Sequence, residues 1–226
     1  MKILTISDVV DDRVYSSAIR DRFGDVDLVL SCGDLPFEYL EYVVTMLGKP
    51  LYYVLGNHAQ SLIRSQDGSV KTEPEGCINL HRRVVVYNGL RIAGLEGSMR
   101  YRPGPHQFTQ LQMYMLAAKM APQLWPHRMR TGRGIDILIT HAAPRGIHDA
   151  DDLCHQGFDA FLWLMDRFKP RYLIHGHIHL YRQGAPRVTR YGETLVVNTF
   201  GYQVIDIDVN DEIQGRARTS LPGRRR

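Results

Sequence analysis

Five short stretches of the sequence carry side chains able to hold a metal ion, and each follows an apolar run that reads as a strand. Ser7-Asp8 follows Lys2-Ile3-Leu4-Thr5-Ile6, Cys32-Gly33-Asp34 follows Leu28-Val29-Leu30, and Gly56-Asn57-His58 follows the run 51–55. Thr140-His141 and His175-Gly176-His177-Ile178-His179 complete the set after 135–139 and 172–174. In open α/β sheets ligands bind beyond the carboxyl ends of strands, so such endings can converge on one site. The donors are two Asp, one Asn and several His, a set that suits Mn²⁺, Fe, Zn²⁺ or Mg²⁺. Three cysteines, odd in number and without CxxC spacing, offer neither a disulfide framework nor a thiolate zinc site. Gly33, Gly56 and Gly176 each precede a polar group where a tight turn must bring the backbone close to an ion. His177 and His179, two apart, point to the same side in extended chain and can serve neighbouring ions. Alone, Gly-Asp reads as a turn and Gly-Asn-His as a turn with a solvated tip, whereas three imidazoles within residues 175–179 are rarely a core feature; together, in this order, the five blocks read as one centre.

The elements that must position these residues alternate. Helix-length segments near 14–22, 36–47, 107–120 and 157–168 lie between the strands, the third with Phe108, Leu111, Met115 and Ala118 at near-helical spacing. That alternation predicts an α/β sheet. Asn88-Gly89 between 83–87 and 90–95 predicts a hairpin, and 195–197 with 203–207 form a late all-strand stretch, so the sheet is mixed. Pro122 to Gly134 reads as a basic loop. No repeat or linker divides the chain, which predicts a single domain over 1–215. Of its 226 residues, 44% are apolar and 23% charged, enough for a full core. The net charge of +4 is local: five of the 28 basic residues fall in 216–226, so 23 face 24 acids elsewhere. That end reads as a disordered basic tail, with nucleic acid as at most a weak partner through it. No apolar run approaches the roughly 18 residues of a membrane span, and Met1 leads directly into a strand; the expectation is a cytoplasmic protein without a membrane partner.

Taken together, Asp8, Gly33-Asp34, Gly56-Asn57-His58, His141 and Gly176-His177-Ile178-His179 resemble the calcineurin-like metallophosphoesterases, whose pattern runs D-x-H, GD, GNH followed by an acid, a later H, and G-H-x-H. The resemblance spans roughly residues 1 to 207. It implies a four-layer α-β-β-α sandwich with two mixed sheets enclosing two divalent ions, manganese first among the candidates. By the same resemblance Asp34 bridges the ions, Asp8 and His179 hold the first, and Asn57, His141 and His177 hold the second. His58 and Asp34 become the catalytic pair: His58 donates a proton to the leaving alkoxide while a metal-activated hydroxide attacks phosphorus directly.

Two positions depart from that pattern. Val10 stands where the family carries the second ligand of its first block, and Ala59 where an acid follows the GNH histidine. The expectation is unequal sites, with a weak or empty first one; Asp11 or Asp12 is either a substitute ligand or part of a solvated turn. Around the centre, His148 and His155 line the substrate mouth or lie at the surface, and His175 orients a ligand imidazole or sits satisfied in the interior. Arg100 and Arg102, on the loop after Gly97, grip a phosphate diester or are solvated, and Asn198 faces the site from a late strand. His81, His106 and His127 have no assigned role. The resulting reading is a metal-dependent phosphoesterase acting on diesters ahead of monoesters. The alternative is a scaffold or interaction module of the same fold in which the lost histidine and acid have removed catalysis.

Overall fold

The computed structural model describes residues 1–58, 72–180 and 186–208. Strands are β1 (Lys2–Ser7), β2 (Leu28–Ser31), β3 (Leu51–Tyr53), β4 (Cys77–Asn79), β5 (Val84–Tyr87), β6 (Leu90–Leu95), β7 (Ser98–Met99) and β8 (Gln107–Phe108), then β9 (Ile137–Thr140), β10 (Tyr172–His175), β11 (Val188–Tyr191), β12 (Thr194–Asn198) and β13 (Gly201–Asp206). Helices are α1 (Ile19–Phe23), α2 (Phe37–Leu47), α3 (Gln110–Thr131) and α4 (Asp159–Phe168). One sheet has the order β13-β1-β2-β3-β4 and the other β11-β12-β10-β9-β6-β5, with β7 and β8 as a small separate pair. Strands β1 to β4 run parallel with β13 antiparallel at their edge, and β6, β9, β10 and β12 run parallel with β5 and β11 antiparallel at the two edges. Both sheets are therefore mixed.

Side-chain alternation explains the layering. In β1, Ile3 packs between the sheets while Leu4 and Ile6 face the helices, and Leu28 and Leu30 of β2 oppose Val29 in the same way. The second sheet mirrors this: Ile137, Ile139 and Ile174 fill the space between the sheets, whereas Leu138 and Leu173 face α3 and α4. A period of two that is apolar on both faces is what a strand covered on both sides requires. Three apolar layers thus separate four layers of structure, in the order α-β-β-α.

Several elements differ from the sequence-based expectation. Helix α3 runs on through Pro122 and Pro126 to Thr131, where a loop is expected. An interior proline costs a helix about 3 kcal/mol because it removes a hydrogen bond and crowds the preceding turn. Here Ala118, Pro122 and Pro126 are all exposed, so the carbonyls left without partners face water. The ends of α3 are set by Thr109, which forms a capping box with Gln112, and by Gly132 in the left-handed conformation. Its buried face is Met113, Ala117, Met120 and Leu124; the stripe containing Leu111 and Met115 lies on the solvent side, so the expected apolar face is the wrong one. The late strands also separate: β12 joins the second sheet beside β10, and β13 crosses to pair antiparallel with β1. The short α1 covers only the end of the segment 14–22. No helix among the described residues is long and apolar enough to cross a membrane. Ala59 and the basic tail 216–226 lie outside the described residues.

Candidate metal centre

Parallel pairing of β1, β2 and β3 in one sheet, and of β9 and β10 in the other, brings the carboxyl ends of all five strands to one end of the sandwich. The turns there are forced. Asp8, Asp34 and His177 take positive φ values of 65°, 55° and 64°, a region that side chains other than Gly, Asn and Asp seldom occupy and that tends to persist at functional sites. His177 is therefore not in extended chain, and its relation to His179 is set by this turn. Asp8 N donates to Gly33 O at 3.1 Å and Gly176 N to His141 O at 3.0 Å, tying neighbouring turns together. The glycines are required by close approach: a Cβ on Gly56 would stand 2.0 Å from Asp34 Oδ1, and one on Gly176 would stand 2.5 Å from Asp8 Oδ2.

The Asp34 corner is dense. His141 is fully buried; its Nδ1 donates to Cys32 O at 2.8 Å, and its Nε2 faces Asn57 Oδ1 at 3.0 Å and Asp34 Oδ2 at 3.2 Å. His58 N donates to Asp34 Oδ1 at 2.9 Å. His177 Nε2 donates to Cys154 O at 2.8 Å, which leaves its lone pair on Nδ1. Asp34, His141 and His177 each bring a ligand atom within 4.8 Å of the others. Burial works against ionisation of Asp34, but the charge and hydrogen bond of His141 outweigh it and hold the carboxyl well below the usual range. Burial likewise opposes charge on His141, yet Asp34 and Asp8 push it up to about 9. Burial and the neighbouring His141 push His177 down to about 3, keeping it neutral. Oxygens that hold a proton this firmly on one imidazole also favour a divalent cation at the same point, and the carbonyl behind His141 fixes its ring as ligand histidines require. These residues fit a metal.

The Asp8 corner is thinner. Both Asp8 oxygens accept from His177 N at 3.0 Å, and burial raises the carboxyl's pKa, opposed by His141 and the Ser7 hydroxyl. His179 Nε2 stands 4.0 Å from Asp8 Oδ1 with its side chain 40% exposed, and its ring leans on Phe200 at 4.7 Å. Among the described residues, Asp8 and His179 belong to no group of three such ligands. Val10 is exposed. Asp11 accepts from Arg13 N, Nε and Nη2 at 2.9, 2.9 and 2.7 Å, so it is directed to that arginine rather than standing in for the missing ligand; Asp12 is exposed.

A family model for calcineurin-like phosphoesterases matches residues 1–181. The chain belongs to the calcineurin-like phosphoesterase family. Members usually bind two divalent metals, and the Asp34 corner supplies a candidate ligand group here. Among solved structures, TT1561 of Thermus thermophilus is similar with 17% identity and a TM-score of 0.55, covering 88% of this chain and 89% of its own. Another crystal structure has 15% identity and a TM-score of 0.62, covering 91% and 94%. These likenesses show the fold. No curated protein sequence matches the chain.

Around the phosphoesterase centre the remaining candidates divide. Exposed His58 lines a cleft of about 390 Å³ with Asn57, Arg102, Pro103, Pro105 and Gln107. Arg100 turns elsewhere, donating to Gln107 O at 3.3 Å and Gln112 Oε1 at 3.0 Å at the start of α3. Tyr101, between them, accepts from Asn57 Nδ2 at 3.3 Å and so orients a donor of the site. His148 is engaged at both ring nitrogens, with His175 Nε2 at 2.9 Å and Thr189 Oγ1 at 2.8 Å. His175 is an interior histidine, pushed down to about 3 by burial and donating from Nδ1 to Gly176 O at 2.9 Å. His155 stays close, its ring 5.1 Å from that of His177. Asn198 donates to Ile178 O at 2.8 Å and accepts from Phe200 N at 2.9 Å, bracing the turn that carries His179. His106 Nδ1 lies 3.0 Å from Glu96 Oε1, while His81 Nδ1 accepts from Glu96 N at 3.2 Å; these two histidines brace one glutamate outside the donor set. Sequence reasoning missed Tyr101, Cys154 and Cys32. Two of them contribute backbone carbonyls, which no side-chain pattern announces.

Proposed function

We propose that the chain is a metal-dependent phosphodiesterase whose two ions are held unequally. Asn57, His141, His177 and the shared Asp34 hold one ion firmly; Asp8, Asp34 and the half-exposed His179 hold the other weakly. Manganese suits this oxygen and nitrogen donor set. When bound, the ions supply stabilisation of charge on the phosphate oxygens and acidify a water for attack. The chain's own part is to position and to move a proton. The His58 amide fixes Asp34, and the His58 imidazole, at the mouth of its cleft, protonates the departing alkoxide oxygen. Arg102, in the same cleft, binds an anionic part of the substituent it receives.

The observation that carries the diester reading is that two clefts flank the centre. Beyond the one beside His58, a second of about 620 Å³ is lined by Val9, Arg187, Phe200 and Tyr202; it begins at the residue after Asp8 and at the ring against which His179 leans. A diester places one substituent in each cleft, whereas a monoester fills only one. Arg187 donates from Nη1 to Phe200 O at 3.1 Å. Arg13, in the same cleft, is neutralised by Asp11.

Hydrolysis of bis-p-nitrophenyl phosphate and p-nitrophenyl phosphate with Mn²⁺ tests this reading. Wild type should prefer the diester, Asp34→Asn should lose turnover, and Val10→His should gain it. A scaffold reading draws on Val10 and the thin Asp8 corner. No turnover of either ester by wild type or Val10→His at saturating Mn²⁺ would establish it in place of the enzyme.

A further inference from the structure

Cys154, His155 and His177 each bring a ligand atom within 4.8 Å of the others, a second group able to hold a metal beside Asp34, His141 and His177. Spacing alone did not reveal it, because His177 comes from a different strand end. The loop that carries the first two residues is built rather than loose. Ala150 N donates to His155 O at 3.2 Å, Gly157 N to Asp149 Oδ2 at 3.1 Å, and the Cys154 carbonyl receives His177 Nε2 at 2.8 Å. His155 Nδ1 donates to Asp152, 2.8 Å from Oδ1 and 2.9 Å from Oδ2, leaving its lone pair on Nε2. A carboxylate behind an imidazole is the arrangement that orients zinc-bound histidines.

The two groups differ in softness. Around Asp34 the donors are carboxylate, amide and imidazole, whereas the second group replaces the carboxylate by a thiol. One sulfur and two imidazoles select Zn²⁺ over Mn²⁺ or Mg²⁺. His177 belongs to both groups, and a neutral imidazole with one nitrogen donating offers a single lone pair.

We propose that Cys154, His155 and His177 form a separate site for Zn²⁺, and that filling it draws His177 away from the Asp34 corner, so that the two sites compete. Binding forms a sulfur–zinc bond and releases the thiol proton to solvent. Because the coupling is through a shared ligand it is reciprocal: an ion at the Asp34 corner weakens the thiolate site by the same factor. The consequence for turnover, inhibition by Zn²⁺, rests on the phosphodiesterase reading; the site and the competition do not.

The probe is Co²⁺ added to the full, metal-stripped chain, because a cobalt–thiolate bond absorbs in the near ultraviolet. Wild type and the thiol control Cys77→Ser should develop the band, and Asp34→Asn, which lacks the competing corner, should develop it to one equivalent. Cys154→Ser should lack it, and His155→Gln should need about tenfold more Co²⁺. Saturating Mn²⁺ should raise the Co²⁺ needed by wild type about tenfold, and Asp34→Asn should remove that effect. No band in wild type, or one that survives in Cys154→Ser, overturns the site. A band indifferent to Mn²⁺ overturns the sharing of His177. Neither result depends on hydrolysis, so a failure of the phosphodiesterase reading is seen separately, as absence of turnover in a chain that binds Co²⁺ as expected.

Discussion

Asn57, His141 and His177 are buried and bonded to fixed partners, and His141 is engaged at both nitrogens. Across the centre, Asp8 is held just as firmly by the His177 amide, but its histidine neighbour is half exposed and 4.0 Å away. The Asp34 corner is thus already organised, so on the proposed reading a cation there would replace a proton without reordering side chains. At the Asp8 corner His179 must move to engage, and the ordering cost falls on the binding step. On the proposed reading, one corner would retain an ion and the other exchange one.

The largest effect expected is from Asp34→Asn, because that carboxylate is the acid beside His141 and, in the proposed site, serves both corners. Hydrolysis should fall by at least about 100-fold, as for loss of a metal ligand or its support. Elemental analysis after dialysis should show neither ion retained. Retention of one full equivalent would mean that Asn57, His141 and His177 suffice, and that Asp34 is not shared.

A methyl group placed at each corner separates the two. In Gly56→Ala the new Cβ falls on Asp34 Oδ1, whereas in Gly176→Ala it falls beside Ser7 Oγ and Asp8 Oδ2. Gly56→Ala should lose the tightly held ion and most activity. Gly176→Ala should keep that ion and lose about tenfold in turnover. Equal losses in metal content would erase the distinction.

Which parts of this arrangement were legible beforehand follows a physical line. Asp8, Asp34, His141 and His177 stand at strand ends, and strand ends are marked by apolar runs and glycines, so both the five endings and their convergence could be read. The solvent-facing stripe of α3 could not, since Leu111 and Met115 have the same spacing as a buried face. Its length was hidden by Pro122 and Pro126, although Thr109, Gln112 and Gly132 carried the correct boundaries. Arg100 and Arg102 are indistinguishable by type; only the contacts of Arg100 with Gln107 and Gln112 leave Arg102 in the cleft. Asp11 became decidable only through its bonds to Arg13.

Adding a ligand to the thinner corner is a smaller perturbation. Val10→His should raise retained metal from about one ion toward two and increase turnover several-fold, within the roughly 10–100-fold range by which ligand surroundings change affinity. Stoichiometric retention of two ions by the wild type would show that the corners were equal from the start.

The smallest effect distinguishes the corners by sign and is read in chelator-treated protein from the melting temperature against pH. Asp34 is held below its unfolded value, so its contribution to stability is present above about pH 4 and is lost as pH falls through the folded value. His141, pushed up to about 9, contributes fully below about pH 6.5, and that contribution is lost as pH rises through 9. Asp8 runs the other way: burial raises its pKa, so ionising it costs stability that is absent below about pH 4 and present above its folded value. At pH 7, Asp34→Asn should therefore lower the melting temperature, with the loss shrinking in acid, while Asp8→Asn should raise it, with the gain shrinking in acid. A fall in both variants at pH 7 would mean that the charge on Asp8 is compensated as well as that on Asp34, and the two corners would then differ only in the exposure of their histidines.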